Sequence, residues 1–343
     1  MRIENELKLD FKDVLIKPKR SQVNSRSQVC LTANYRFKNG YDWSGVPIIA
    51  ANMDGVGTFA MSEALSRHGL MTCLNKSYSV EEWSREQDCW ETDNSILSTG
   101  ITPSDMTRTI EIVNKFGSGI QFICIDVANG YTDAFVSAIK KYRSFFPDKT
   151  IIAGNVVCPE MTTEVIRAGA DIVKVGIGPG SACTTRIKTG VGVPQLSAII
   201  ECSEVAHNLG AHIIADGGCT CPGDVSKALA SGADLVMLGG MLAGHDEGGG
   251  QIIEEEGRKY VSFYGMSSET AMSKHHGGVA SYRTSEGRTV KIPYRGSVED
   301  TINDILGGIR STCTYVNART IRELQLNTTF VRVSQQFNSI FVG

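Results

Sequence analysis

The chain has 343 residues, with 34 basic against 37 acidic side chains and a formal net charge of −3. This near-neutral balance excludes the basic stripe of a nucleic-acid binder and the polybasic patch of a membrane-surface protein. No apolar run approaches the ~20 residues that span a bilayer. Ten irregularly spaced cysteines are too sparse for a disulfide scaffold. Read as reduced thiols, beside an N-terminal segment that alternates charge with apolar residues, they predict a cytoplasmic protein. Cys219-Thr220-Cys221 has no second pair at ligand spacing, so a zinc site is not expected.

Short apolar, β-branched runs recur along the chain, at 47–50, 70–73, 122–125, 150–153, 172–175, 212–215 and 235–238. Continuous rather than alternating apolar character fits parallel strands buried on both faces. Amphipathic stretches such as 132–145 and 159–168 lie between them, so the pattern is strand–helix alternation. An internal repeat sharpens it. Ala168-Gly169-Ala170-Asp171-Ile172-Val173-Lys174-Val175-Gly176 recurs 63 positions later as Ser231-Gly232-Ala233-Asp234-Leu235-Val236-Met237-Leu238-Gly239. A quasi-repeating unit predicts an α/β fold of the (β/α)8 TIM barrel type, and no Gly-x-Gly-x-x-Gly opens a helix in the first half. Residues 1–343 are read as one barrel domain. Residues 244–296, polar and punctuated by glycine, are read as a mobile flap inserted late in the barrel. Residues 316–343 are read as a polar tail packing on a neighbouring subunit.

In such a barrel the chemistry sits at the carboxyl ends of the strands. Those ends read Asn52-Met53-Asp54, Asn75-Lys76, Asp126-Val127-Ala128-Asn129-Gly130, Gly154-Asn155, Gly176-Ile177-Gly178, Asp216-Gly217-Gly218 and Gly239-Gly240. The densest signal is Gly176-Ile177-Gly178-Pro179-Gly180-Ser181-Ala182-Cys183-Thr184-Thr185-Arg186. Its glycines let the backbone approach a ligand closely, and successive amides form an anion-binding concavity. A thiol held there, among hydroxyls and near a cation, is a candidate nucleophile. Asp216 suits the two hydroxyls of a ribose, and Gly217-Gly218 with Gly239-Gly240 suit its phosphate. A nucleotide gripped in this way would place its base over Cys183.

These residues, together with Leu9-Asp10-Phe11-Lys12-Asp13-Val14-Leu15-Ile16, Pro47-Ile48-Ile49-Ala50-Ala51-Asn52-Met53-Asp54, Phe263-Tyr264-Gly265-Met266-Ser267-Ser268 and Leu306-Gly307-Gly308-Ile309-Arg310-Ser311-Thr312-Cys313-Thr314, resemble the family of GMP reductases and IMP dehydrogenases. The resemblance runs over nearly the whole chain. It favours the reductase branch, because no regulatory module fits between Lys76 and Asp126, and because Tyr282-Arg283-Thr284-Ser285-Glu286-Gly287-Arg288 is similar to the reductase pattern. An IMP dehydrogenase lacking that module is the alternative.

The resemblance implies reductive deamination of GMP to IMP with NADPH, releasing ammonia through a covalent thioimidate on Cys183. It implies a proton relay through Thr185 and Glu286. By the same resemblance Ser181 would join the phosphate glycines, and Gly265, Met266, Ser267, Arg283, Ser285 and Gly287 would frame the base. Lys76, Asp126, Val127, Ala128, Ile177 and Gly178 would lie near the nicotinamide. Ser311 and Thr314, with Ser25 and Arg26 of a neighbouring subunit, would contact the rest of the dinucleotide. Carbonyls of Gly178, Gly180 and Cys183 would coordinate a monovalent cation such as K⁺, and the assembly would be a homotetramer. The chain departs from the family pattern at Gly55, Asn75 and Val193, where Thr, His and Tyr are usual. The change at Asn75 is expected to alter how Lys76 is oriented.

Overall fold

The computed structural model describes residues 1, 3–276 and 285–334. Eight parallel strands close into a barrel: β1 (Ile48–Ala50), β2 (Met71–Leu74), β3 (Ser95–Thr99), β4 (Phe122–Asp126), β5 (Thr150–Val156), β6 (Ile172–Val175), β7 (His212–Asp216) and β8 (Leu235–Leu238). Each pairs with its sequence neighbours. Closure comes from β8 against β1, with Met237 opposite Ile49. A helix follows each strand: α1 (Phe59–Ser66), α2 (Val80–Arg85), α3 (Pro103–Phe116), α4 (Asp133–Phe145), α5 (Pro159–Ala168), α6 (Gln195–Asn208), α7 (Pro222–Ala230) and α8 (Glu299–Tyr315). The result is the (β/α)8 barrel expected from the repeat.

Local chemistry sets the helix starts. Ser79 and Thr102 form capping boxes with Glu82 and Asp105, and Pro103, Pro159 and Pro222 open their helices where a missing N–H costs nothing. Gly169 ends α5 with φ +122° and returns the chain to β6.

One barrel strand was not legible as an apolar run. β3 is Ser95-Ile96-Leu97-Ser98-Thr99, and its three hydroxyl residues are all buried. They are satisfied locally: Ser95 pairs with Ser62 at 2.9 Å, Ser98 donates to the Leu74 carbonyl, and Thr99 meets Tyr142 at 2.8 Å. The interval from Lys76 to Asp126 therefore holds α2, β3, α3 and β4.

An antiparallel hairpin, Ala33–Arg36 with Asp42–Gly45, covers the amino-terminal mouth of the barrel. Its Phe37 ring packs edge-on against Phe122 and His212, the first residues of β4 and β7, at 5.8 and 5.2 Å. That end is an aromatic plug, so the carboxyl ends of the strands form the accessible face.

Between β8 and α8 the chain builds a second layer over that face. Strands β9 (Ile252–Glu255), β10 (Arg258–Tyr264) and β11 (Thr289–Pro293) form an antiparallel sheet, and a short helix, Glu269–His276, follows β10. The glycine-punctuated stretch thus contains a sheet of its own. The described part of the polar tail folds back on its own chain. Ile321–Asn327 is helical, and Phe330–Arg332 pairs with Val14–Ile16. Among the described residues, no helix is long and apolar enough to cross a membrane.

Candidate active site

Parallel strands deliver all their carboxyl ends to one face, and there a single cavity is lined by residues from every strand except β2 and β3, as well as by the insertion. Its lining includes Asp126, Val127, Ala128, Ile177, Gly178, Gly180, Ser181, Cys183, Thr185, Asp216, Gly217, Gly218, Gly239, Gly240, Gly265, Met266, Ser267, Glu286 and Gly287. Residues as far apart in sequence as Ala51 and Gly287 are thereby brought together.

Cys183 lies on the loop after β6, half-buried. Its thiol donates to Thr185 Oγ1 at 3.2 Å, and that hydroxyl donates to Glu286 Oε2 at 2.7 Å. Main-chain pairing fixes this chain of three groups. Thr184 N–H donates to the Glu286 carbonyl at 2.8 Å, Arg288 N–H to the Ala182 carbonyl at 3.0 Å, and Glu286 N–H to the Ser267 carbonyl at 3.1 Å. Gly287 is bridged to both Cys183 and Ser268. A Cβ on Gly287 would lie 2.8 Å from the Ser268 nitrogen, so only glycine permits that approach.

The proposed phosphate glycines form a bare cradle. A side chain at Gly240 would meet the Ser181 hydroxyl at 2.7 Å. Gly217 and Gly218 both have positive φ, +88° and +90°, which favours glycine. The Ser181 turn itself is braced from outside. Arg288 donates to the Ser181 carbonyl through Nε at 3.1 Å and Nη2 at 2.9 Å.

The floor of the cavity is a charge arrangement that the apolar character of β6 conceals. Lys174, 3% exposed, reaches Asp126 Oδ1 at 2.5 Å and Asp216 Oδ2 at 2.6 Å. Asn155 donates to Asp216 Oδ2 at 2.8 Å and to the Gly176 carbonyl at 2.7 Å, and Asn52 donates to Asp126 Oδ2 at 3.1 Å. Burial by itself would push the Asp126 carboxyl up, but Lys174 outweighs it and holds the group below the usual carboxylate range. Burial likewise disfavours the Lys174 ammonium, yet the two aspartates hold its pKa well above the ordinary value. The signal was present in the sequence: a charged residue inside a strand buried on both faces must be paired.

Arg186 does not serve the thiol. Its guanidinium turns outward, donating to Asp10 Oδ2 at 3.0 Å and to the Val193 carbonyl at 2.7 Å. Its stem passes Gly178, where a Cβ would meet Arg186 Cγ at 2.5 Å. It shapes the loop instead of activating the cysteine. The Val193 departure accordingly presents only its carbonyl here. Asn75 makes no side-chain bond to Lys76, but it closes the turn that carries it. Its Nδ2 donates to Asp54 Oδ1, while its Oδ1 accepts from Ser77 N–H at 2.9 Å and the Ser77 hydroxyl at 2.8 Å. Gly55 has φ +74°, a conformation that would strain the usual Thr.

Several expected contacts lie off this cavity. Lys76 is half-buried beside it, and its charge reaches Asp126, but it does not line it. Ser285 donates to the Gly287 carbonyl at 2.9 Å, behind the lining. Ser25 caps the turn Arg26–Gln28 by accepting from Ser27 N–H, and Thr314 donates to the Ser311 carbonyl at 2.7 Å within α8. None of Ser25, Arg26, Ser311 and Thr314 reaches the cavity of its own chain. Arg283 lies outside the described residues. Among the described residues no group of three His, Cys, Asp or Glu side chains is placed to hold a metal ion.

Residues 8–338 match the family described as IMP dehydrogenase / GMP reductase domain. The chain is 60% identical over 345 residues to the GMP reductase of Aliivibrio salmonicida (strain LFI1238), with 99% of each chain covered. It is 59% identical, with the same coverage, to the GMP reductases of Vibrio cholerae serotype O1 (strain M66-2) and Vibrio vulnificus (strain YJ016).

Proposed function

We propose that this chain, which belongs to the IMP dehydrogenase / GMP reductase family, is an oxidoreductase that converts GMP, NADPH and a proton to IMP, NADP⁺ and ammonia. The observation that carries the reading is the hydrogen-bonded chain Cys183–Thr185–Glu286 at the wall of a cavity that also holds Asp216 and the glycine cradle.

Nucleotide binding follows from that lining. Phosphate sits against Ser181, Gly217-Gly218 and Gly239-Gly240, and the ribose hydroxyls donate to Asp216. Both of the described contacts to Asp216 side-chain oxygens fall on Oδ2, which leaves Oδ1 for the sugar. Gly265, Met266, Ser267 and Gly287 frame the purine, with Arg283 and Ser285 assigned beside them. The sulfur of Cys183 then faces carbon 2 of the guanine.

Chemistry needs a proton moved in each direction. Cys183 gives up its proton toward Thr185 and attacks carbon 2. The exocyclic amine is a poor leaving group until protonated, and Glu286 through Thr185 supplies that proton. Ammonia departs, and a thioimidate remains on the sulfur. A bound nicotinamide would supply a hydride to carbon 2, and breaking the carbon–sulfur bond would then restore the Cys183 thiolate. Asp126, Val127, Ala128, Ile177 and Gly178 line the same cavity as Cys183, which suits a cofactor ring stacked over the nucleotide. Lys76 adds a cation at its edge.

Ser25, Arg26, Ser311 and Thr314 would touch the remainder of the dinucleotide only from another subunit, consistent with a homotetramer. The carbonyls of Gly178, Gly180 and Cys183 are neutral oxygen donors on one loop, and they suit a monovalent ion such as K⁺ that would brace it. The Gly180 carbonyl already accepts from Cys183 N–H at 3.0 Å, so the loop is partly folded around that point. A cytoplasmic role in purine nucleotide interconversion and salvage fits these substrates.

Absorbance at 340 nm tests the reading directly. GMP with NADPH should give a fall that depends on GMP. A rise with IMP and NAD⁺, and none of the former, would assign the chain to the dehydrogenase reaction instead.

A further inference from the structure

Asp54 stands at the carboxyl end of β1, and no step of the proposed reaction uses it. Its side chain is 8% exposed and accepts from four others. Asn75 Nδ2, on the barrel, donates to Oδ1. The other three belong to the insertion: Tyr264 Oη at 2.7 Å, His275 Nε2 at 2.8 Å and Lys274 Nζ at 2.9 Å, all on Oδ2. The Asp54 N–H points at Met266 Sδ, 3.4 Å away. Burial would raise this carboxyl, but Tyr264, His275 and Lys274 outweigh it and keep the anion favoured.

The positions of those three donors matter more than their number. Tyr264 is the last residue of β10, and Lys274 and His275 lie near the end of the helix Glu269–His276. Gly265, Met266 and Ser267, which line the cavity, lie between them. One barrel carboxylate therefore pins the cavity-lining segment on both sides. Ser267 passes that placement on, because its carbonyl accepts the Glu286 N–H. A second contact nearby has the same sense: Thr58 donates to the Glu247 carbonyl at 2.5 Å.

We propose that Asp54 is a positioning residue: its carboxylate anchors the insertion to the barrel rim and thereby sets where Gly265–Ser267 and Glu286 sit over Cys183. The catalytic part of this statement rests on the proposed function, whereas the anchoring part does not. The relay residue is delivered by a layer of chain held to the barrel at several points, and Asp54 is the one at which charge is concentrated. Buried charge-assisted bonds of this kind are the strong ones, so losing the acceptor loosens several donors at once.

The test reads Cys183 without turnover. Iodoacetamide labelling of the nucleotide-free protein is followed by peptide mass spectrometry, well below the melting temperature. In the wild type Cys183 is half-buried at the cavity wall, with Gly287 paired along its main chain. Asp54→Asn should raise the labelling rate of Cys183 about fivefold or more, because local undocking becomes more populated, with the buried Cys73 and Cys202 unaffected. Tyr264→Phe removes one hydroxyl of the four donors and should give a smaller rise, about twofold. It also carries the test if Asp54→Asn does not fold. In steady state Asp54→Asn should lower kcat about tenfold or more while the KM for NADPH stays within about twofold. Unchanged Cys183 labelling in a folded Asp54→Asn or Tyr264→Phe protein would overturn the anchoring role, as would a fall in stability with kcat intact. If the wild type shows no GMP-dependent oxidation of NADPH, the proposed function fails while the labelling result still stands or falls separately.

Discussion

Lys174→Met is the most informative single change in the barrel floor. The lysine is 3% exposed and bridges two aspartates, each with other donors on it. Methionine keeps the aliphatic stem and removes only the charge. Breaking a buried ion pair by removing one partner costs about 3–5 kcal/mol, because the remaining charge is left uncompensated. An unfolding entropy of about 2.1 cal/mol/K per residue gives roughly 0.7 kcal/mol/K for a chain of this size, so the melting temperature should fall by about 4–7 °C. The pH dependence has a definite sign. The Lys174 pKa is raised on folding, so its contribution is complete below about 10.5 and constant across the neutral range. The Asp126 pKa is lowered, so its contribution is present above about 3.8 and is lost only as the pH falls through the folded value. Without the lysine, burial and the neighbouring Asp216 push Asp126 up, and protonation relieves the strain. The deficit should therefore be largest at pH 8 and smaller at pH 5. Calorimetry of both proteins across that range reads it. A deficit below about 1 kcal/mol at pH 8, or one that does not shrink on acidification, would refute the account of the floor as a compensated charge triad.

The other expectations concern the relay. Cys183→Ala should abolish turnover while retaining GMP binding by calorimetric titration, because binding rests on phosphate and ribose contacts. Turnover within about tenfold of the wild type would discard the covalent route. Glu286→Gln should slow ammonia release more than hydride transfer to an already formed intermediate, as read by single-turnover quench-flow. Equal slowing of both steps would remove Glu286 from the proton path.

How much of this was legible beforehand depends on the residue. Seven barrel strands announced themselves because apolar β-branched runs have one use in a parallel sheet. The eighth did not, because Ser95, Ser98 and Thr99 are buried by pairing with particular partners that only the fold brings near. The cysteine loop, Asp216 and the glycine pairs converged because their spacing encodes position at strand ends. Lys174 hid inside an apolar run, and Asn155 and Asn52 hid at strand ends as ordinary polar residues. Side-chain direction was the other limit. Nothing local tells Arg186 to turn toward Asp10, 176 positions away, or Asn75 toward Asp54. Contacts of that range belong to the closed barrel and not to any segment of it.

The strand-like seam between residues 182–184 and 286–288 has a consequence for how this scaffold can change. Its bonds run through amides and carbonyls, which every residue type except proline provides in full. What is held at position 286 is therefore independent of what does the holding. A different acid, amide or cation could be exchanged there without moving the socket, so altered chemistry at this mouth requires one codon and leaves the architecture alone.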